Sequence, residues 1–476
     1  MTLPDETGPT PPRARSRPRP HPIRASATYA HVRLWGQEVG VVAEDPATRT
    51  VIFEYLDSFR TRGLEISPLH LPLARRGPIT FPELARSTAF HGLPGVLADS
   101  LPDAYGNAVI ARYFEQQGRP ADAMSPVQRL LYIGSRAMGA LEFAPAVDQR
   151  LNAPAEEALQ LAALVEQARR VVAGDTAVAI PEMMQVGATA GGARAKALIL
   201  WNRDRTQVRS GFASPEPGDE HWLIKFDGVS AAGGGHALAR DFRPTPYGRI
   251  EYAYSQIARR AGIEMSETHL LRERDFAHFL TRRFDRVHPG TTLDALGAAD
   301  APVTAMAAAG PERADRLHMH SLGGLRHADY NVRQIVSYEQ FFRTIRALGL
   351  GQPAIDQAYR RMVFNLAARN QDDHVKNIAF LMDPAGTWAL APAYDVTWAV
   401  GGQWAATHQM TVAGKDDGFV RADLLAVGAA FDVDRDGAAI LGDVEEALAL
   451  WPSLAADADL APPEIIERTA GFRHFA

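Results

Sequence analysis

Apolar and polar residues alternate along His31-Val-Arg-Leu-Trp-Gly36, and short apolar runs follow at Val39–Val42 and Val51–Tyr55. This period of two predicts three strands of a small antiparallel sheet ending near Pro72. The stretch Gly92-Leu-Pro-Gly-Val-Leu-Ala-Asp-Ser-Leu-Pro-Asp103 leads into a helix expected over 104–117. A second helix is expected over 126–133, stopped by Gly134, with a strand over 138–143. Leu159, Ala162, Leu164, Ala168 and Val171 fall at helical spacing and predict an amphipathic helix over 154–173, with Pro154 in its first turn. Strands are expected over 197–201 and 221–226, a helix opening at Glu251 and running to Arg260, and a strand over 279–286 that runs into a loop. The helix expected over 355–368 delivers a polar segment, then a β-hairpin over 378–390 turning at Asp383-Pro-Ala-Gly386. Helices over 423–430, 438–451 and 463–469 complete the chain. Strands dominate the first part and helices the second, which is an α+β pattern.

The 476 residues suffice for two or three domains with a large core. A net charge of −6 argues against a protein that coats nucleic acid generally. The absence of cysteine excludes a disulfide framework, a thiol nucleophile and a cysteine zinc site. No apolar run reaches the roughly 18 residues of a membrane span, and the first 28 residues lack a secretory apolar stretch, so a cytoplasmic protein without membrane contact is expected. Repeated Pro and Arg in residues 1–28 predict a disordered basic tail. Residues 289–313, rich in Ala, Gly and Pro, have the composition of an inserted loop.

The chemistry concentrates in Asn370-Gln-Asp-Asp-His-Val-Lys-Asn377, followed beyond the hairpin by Tyr394-Asp-Val396. Asp372 precedes Asn377 by five positions, and Asp395 follows the second strand. That order matches phosphoryl transfer. A carboxylate positions the acceptor hydroxyl and takes its proton, an Asn holds one Mg²⁺, and a later Asp holds the metal that bridges the phosphates. Oxygen ligands suit a hard ion. A polar loop plus a hairpin turn would use the same residue types, but the ordered set favours the chemical reading.

Upstream, Gly187-Ala-Thr-Ala-Gly-Gly-Ala-Arg-Ala-Lys196 puts small residues before a strand, where backbone N–H groups can approach an anion. It is not a Walker A loop, and alone it would be a Gly-rich turn. Lys225 lies among apolar strand residues and could neutralise phosphates with Glu251 as its partner. The bland alternatives are a snorkelling edge-strand lysine and a carboxylate at a helix N-terminus. The loop after residue 279 is placed to serve as a hinge where adenine stacks. Asp99-Ser100 is expected to be structural, with Ser as a cap and no His as partner. His318, His320 and His327 are expected to line a polar cleft rather than bind metal. Asp432-Val-Asp-Arg-Asp-Gly437 imitates a calcium loop, but Asp443 stands where its bidentate Glu would be, so an acidic turn is expected.

Six motifs recur in one order: Leu93-Pro-Gly-Val-Leu-Ala-Asp-Ser-Leu-Pro102, Ile133-Gly through Met138-Gly-Ala-Leu141, Gly191-Gly-Ala-Arg-Ala-Lys196, Arg283-Phe-Asp-Arg286, Asn370-x-Asp-x-His-x-Lys-Asn377 and Tyr394-Asp-Val396. In these the chain resembles the HipA family, serine/threonine kinases that act as toxins of bacterial toxin–antitoxin systems. The resemblance spans roughly residues 30–470. It implies a protein-kinase-like two-lobed α+β fold with a β-rich N-terminal subdomain and a mainly helical C-terminal lobe. The corresponding division is a tail over 1–28, a HipA-type N-terminal subdomain over 29–150, a nucleotide-binding region over 151–286 and a helical lobe over 287–476.

The resemblance also implies roles. Asp372 is the catalytic aspartate, assisted by Lys225, and Asn377 and Asp395 are the Mg²⁺ ligands. ATP is expected to contact Thr189, Gly191, Gly192, Ala193, Lys196 and Lys225, the hinge Arg282, Arg283 and Phe284, and His374 and Lys376. The family's autophosphorylated serine aligns with Thr189, and Arg282 replaces an acidic hinge residue. Expected partners are a helix-turn-helix antitoxin and a protein substrate such as an aminoacyl-tRNA synthetase, with DNA reached only through the antitoxin. Two other readings stand beside this one: a kinase of small molecules, and a nucleotide-binding co-repressor without catalysis.

Overall fold

The computed structural model describes residues 28–102, 106–107, 110, 124–145, 158–159, 195–227, 246–273, 276–287 and 316–475. Strands β1 (Thr28–Leu34), β2 (Gln37–Glu44) and β3 (Val51–Tyr55) form an antiparallel meander, and β4 (Leu141–Ala144) pairs with β1. The alternation in β1 buries Ala30, Val32 and Leu34 on one face, as the period of two requires. Between β1 and β2, Trp35 and Gly36 both take positive φ, 49° and 75°, the geometry of a tight hairpin turn. Helices α1 (Gly95–Ala98) and α2 (Pro126–Ile133) accompany this sheet. A Ser125/Gln128 capping box opens α2 and Gly134 at φ 59° closes it.

The second sheet has the order β5-β7-β6-β8-β10-β9. Its strands are β5 (Ala158–Leu159), β6 (Lys196–Trp201), β7 (Val208–Ser210), β8 (Glu220–Lys225), β9 (Thr268–Glu273) and β10 (Phe276–Arg282). The helix expected over 154–173 is contradicted at β5. Ala158 and Leu159 pair with Arg209 and Val208. The free edge of β7 satisfies the backbone of these two residues, and that gain overrides the local helical period. The rest of 154–173 lies outside the described residues. So do the Gly-rich residues Thr189, Gly191, Gly192 and Ala193, the insertion over 289–313, and nearly all of the tail and of the helix expected over 104–117.

One helix, α3 (Tyr247–Arg260), covers the sheet with Ile250, Tyr254, Ile257 and Ala258 buried. It begins before Glu251, so Glu251 does not open the helix but projects from inside it. Gly248 lets the helix touch β10, since a Cβ there would meet the Ala277 carbonyl oxygen at 2.1 Å.

The remainder is mainly helical. Strand β11 (His318–Ser321) runs into α4 (Leu322–Arg326), followed by α5 (Tyr338–Ala347) and α6 (Gln352–Ala367). The hairpin is β12 (Ala379–Met382) and β13 (Trp388–Leu390), with Gly386 at φ 88°, and β11 joins it through β12. The C-terminal helices are α7 (Arg421–Ala430), α8 (Ala438–Ala449), α9 (Trp451–Asp457) and α10 (Pro462–Gly471). One apolar core runs from β1 to Phe475, and fully buried Trp451 contacts Tyr254 of α3 edge-on at 5.4 Å. The first sheet docks closely on the helical part. A Cβ on Gly95 would lie 2.0 Å from the Gly324 carbonyl oxygen, so α1 and α4 meet backbone to backbone. No helix among the described residues is long and apolar enough to cross a membrane.

Candidate active site

A cleft of about 800 Å³, counting its open mouth, lies where the three parts meet. The second sheet supplies Leu223, Lys225 and Thr281 with Arg282, Arg283 and Phe284 just beyond, and the first part supplies Asp99 and Met138. The helical part supplies Met319, Ser321, Lys376, Asn377, Tyr394 and Asp395. Residues far apart in sequence thus converge, and most are those the motifs singled out.

Lys225 ends β8, an interior strand flanked by β6 and β10, so it is not a snorkelling edge lysine. Its ammonium donates to Glu251 Oε1 at 2.6 Å and also bonds Asp395 Oδ1. Glu251 is only 2% exposed, and a buried carboxylate requires such a partner. Across the ladder, Lys196 pairs in register with Lys225 and is itself buried. Asp395 sits in the left-handed region at φ 53°. Burial alone would raise its pKa, but Lys225 above all, then Lys196, outweighs it and holds the carboxyl below its ordinary value. The cleft therefore carries an ionised carboxylate beside a cation.

The loop from Asn370 to Asn377 is fixed from several sides. Asn370 ties back to Asn365 of α6 through Nδ2–H donating to Oδ1 at 3.0 Å. Asp373 is the buried anchor. It accepts from the Tyr338 hydroxyl at 2.8 Å, from the Gln409 backbone N–H at 2.8 Å, and pairs with His408 Nδ1 at 3.0 Å. Asp372, its neighbour, stays 41% exposed in its side chain. The Asn377 amide donates to the Asp372 carbonyl at 3.0 Å, and the Tyr394 hydroxyl to the Lys376 carbonyl at 2.7 Å. These bonds set the spacing of Asp372, Lys376 and Asn377. His374 Nε2 lies 4.0 Å from Asp372 Oδ1, and its buried Nδ1 has no hydrogen-bond partner among the described residues.

Around the expected hinge the side chains have other work. Arg283 forms a two-pronged pair with fully buried Asp285, at 2.9 and 2.6 Å, and Arg286 adds a third bond at 2.7 Å. Burial acts to raise the Asp285 pKa, but Arg283 and Arg286 overcome it and hold the carboxyl far below the usual range. Arg282 reaches away to Glu220 and Glu267, at 3.4 and 3.7 Å. The backbone N–H groups of Arg282 and Arg283 donate to the carbonyls of Glu267 and His221. Phe284 faces the cleft with its ring 5.3 Å from that of Tyr394.

The expectation that Asp99 lacks a histidine partner is overturned. Asp99 caps α1 at its C-terminal end, faces the cleft, and bonds His320 Nδ1 at 2.7 Å and the Ser321 hydroxyl at 2.6 Å. His318 instead bonds the Ile66 carbonyl at 2.8 Å, and His327 accepts from the Gly95 N–H at 3.1 Å while stacking on His70. These three histidines tie the first part to the rest. Asp432 pairs with Arg346 on the surface, and Asp434–Gly437 is a 3₁₀ turn. Trp404, which carries no sequence signal, donates its indole N–H to Asp372 Oδ1 at 2.7 Å.

Comparison with known proteins places this geometry. The model of the HipA-like C-terminal domain matches residues 188–451, more than half of the chain, and that of the HipA N-terminal domain matches residues 30–144. The chain belongs to the HipA family. The cleft lies between the two matched segments, with Asp99 and Met138 coming from the first and Lys225, Asn377 and Asp395 from the second. HipA from the toxin–antitoxin system of Shewanella oneidensis MR-1, solved with HipB and its operator DNA, aligns with a TM-score of 0.59 at 15% identity. The alignment covers 93% of this chain and 94% of that one, so the two share a fold along nearly their whole length. CtkA, a proinflammatory kinase of Helicobacter pylori, aligns at 12% identity over 60% of this chain and 90% of that chain, with a TM-score of 0.26, too low to support any inference. No protein of curated function matches the sequence.

Proposed function

We propose that this HipA-family protein is an ATP- and Mg²⁺-dependent protein serine/threonine kinase of the toxin type. The observation that carries the reading is Lys225 held between Glu251 and Asp395 in the cleft that also presents Asn377. The donor set fits the ligand. Asn377 and Asp395 offer oxygen atoms only, and Mg²⁺ takes one or two protein ligands and completes its shell with phosphate and water. His374 Nδ1 is a buried nitrogen still open to a partner.

Bound MgATP would supply the transferable phosphoryl group and part of its charge neutralisation. Asn377 and Asp395 would hold the metal, and Asp395 is suited to this by being kept ionised. Lys225, oriented by Glu251, faces the phosphates together with Lys196, Lys376 and His374. The backbone of Thr189, Gly191, Gly192 and Ala193 is assigned to the same phosphates. Phe284 and Tyr394, which line the cleft, would hold the adenine. Because the N–H groups of Arg282 and Arg283 are engaged, any main-chain contact there uses carbonyl oxygens. Asp372, partly exposed, orients the acceptor hydroxyl and accepts its proton at the carboxylate. The regulatory partner is an antitoxin of the HipB kind, through which DNA is reached, and the acceptor is a protein such as an aminoacyl-tRNA synthetase.

The test is intact-mass spectrometry of dephosphorylated protein incubated with Mg²⁺ and ATP, beside Asp372→Asn. A phosphate mass on wild type alone, mapped to Thr189, supports both the kinase and self-modification at that position. A phosphate elsewhere keeps the kinase and discards Thr189. ATP binding without phosphate on the protein itself or on any protein of a cell extract would refute the protein-kinase assignment.

A further inference from the structure

Asp372 is exposed, and a carboxylate on a loop can rotate about its side-chain bonds unless something fixes it. In this structure that something is Trp404. Its indole N–H donates to Asp372 Oδ1 at 2.7 Å, although the residue lies on the surface and 32 positions away. The indole is not loosely placed. The Trp404 carbonyl accepts from Gln409 Nε2 at 2.5 Å, and the Gln409 backbone N–H donates to Asp373 Oδ1 at 2.8 Å. Gln409 Nε2 also reaches the Gln371 carbonyl at 3.4 Å, so one glutamine fastens the tryptophan segment to both neighbours of Asp372. On the outer side, Arg333 donates to the Gln403 carbonyl at 3.2 Å and bonds Thr407, and Thr407 donates to Asp416 at 2.8 Å. The loop carrying Trp404 is thus braced on both sides of the indole.

We propose that Trp404 is a positioning residue that clamps Asp372 Oδ1 and leaves Oδ2 as the oxygen presented to the acceptor hydroxyl. This rests on the kinase reading for what Asp372 does, but the clamp itself is a property of the free protein. An indole N–H suits the task because it only donates, and so it cannot pair with the acceptor's proton in place of the carboxylate. Holding one oxygen fixes the direction of the other, and catalysis by a base depends on that alignment. The indole side chain is also partly exposed.

The test has two parts. In protein labelled with ¹⁵N-tryptophan and free of nucleotide, Trp404→Phe identifies the Trp404 indole resonance by its loss. Asp372→Ala, measured at one neutral pH, is expected to move that resonance upfield to a solvent-bonded position while the other indole signals stay. An indole unmoved by Asp372→Ala overturns the clamp whatever the protein's activity. In phosphoryl transfer, Trp404→Phe is expected to lower kcat about tenfold, the order of one hydrogen bond to a charged group, with KM for ATP unchanged. Added to Asp372→Asn it should cost nothing further. Full kcat in Trp404→Phe, or an equal loss in the Asp372→Asn background, refutes the positioning role. No transfer by wild type would instead count against the kinase reading and leave the resonance test standing.

Discussion

Replacing Lys225 by Met should be among the most damaging single changes to the cleft, and a second mutation should repair much of its effect on stability. The ammonium is 2.6 Å from Glu251 Oε1 and bonded to Asp395 Oδ1, with side-chain exposures of 12% for Lys225, 2% for Glu251 and 23% for Asp395. Coulomb attraction for the Glu251 pair alone is about 6 kcal/mol at an effective dielectric constant near 20. Much of that offsets the cost of taking the charges out of water. What the single mutant loses is the compensation from Lys225, and breaking a buried pair by removing one partner costs about 3–5 kcal/mol. In Lys225→Met/Glu251→Met the most deeply buried carboxylate is gone too, and the better-solvated Asp395 keeps the charge of Lys196 nearby. That double mutant should unfold within about 2 kcal/mol of wild type, although it should be as inactive as the single. Equilibrium urea unfolding at pH 7, followed by tryptophan fluorescence and circular dichroism, measures both. The sign with pH is also fixed. Lys225 lowers the Asp395 pKa against the pull of burial, so that contribution is present above the unfolded carboxylate value, about 3.9, and is lost as pH falls through the folded one. The gap between wild type and Lys225→Met should therefore narrow as carboxylates protonate. Equal stabilities for the single and double mutants at pH 7 would refute the reasoning, because Glu251 would then not depend on Lys225.

Two further predictions concern the docking of the first part. His318 is fully buried, and burial pushes its pKa down from 6.5 to about 4. The unfolded chain binds the extra proton, so this group's contribution is complete above pH 6.5 and is lost as pH falls toward 4, a span of about 3 kcal/mol at 1.36 kcal/mol per unit. His318→Phe should flatten the acid side of the stability curve in that window, measured by urea midpoints from pH 7 to 4. Gly95→Ala places a methyl 2.0 Å from the Gly324 carbonyl oxygen, an overlap between two backbones that side-chain motion cannot relieve. It should cost about 3 kcal/mol and speed limited proteolysis within residues 28–145, while Ala98→Gly, in the same short helix, should not.

Where the sequence was legible, the determinants were local. Gly386 at the hairpin turn, Gly134 after α2, and the five-residue step from Asp372 to Asn377 are each set by neighbours in the chain, and each stands where the pattern predicted. Lys225 and Glu251 could be matched across 26 residues because a lysine inside an apolar strand needs a counter-charge, and so restricts its own partner. The missed features lack any such demand. Asp99 and His320 are 221 positions apart, and neither residue type at its own position requires the other. Ser100 was expected to cap the entry of the helix over 104–117, whereas Asp99, at the C-terminal end of short helix α1, reaches across an interface where Gly95 and Gly324 approach closely. Trp404 was invisible for a related reason, since an exposed tryptophan in a loop has many innocent explanations and its N–H can be satisfied by water. At Ala158–Leu159 the period pointed the wrong way because an open strand edge, formed fifty residues later by Val208 and Arg209, offered backbone bonds that no local propensity encodes. The cleft is therefore half written in its motifs and half assembled by docking. The motifs name most of the groups that bear charge, and what they do not name is the partners that hold those groups, His320 for Asp99 and Trp404 for Asp372.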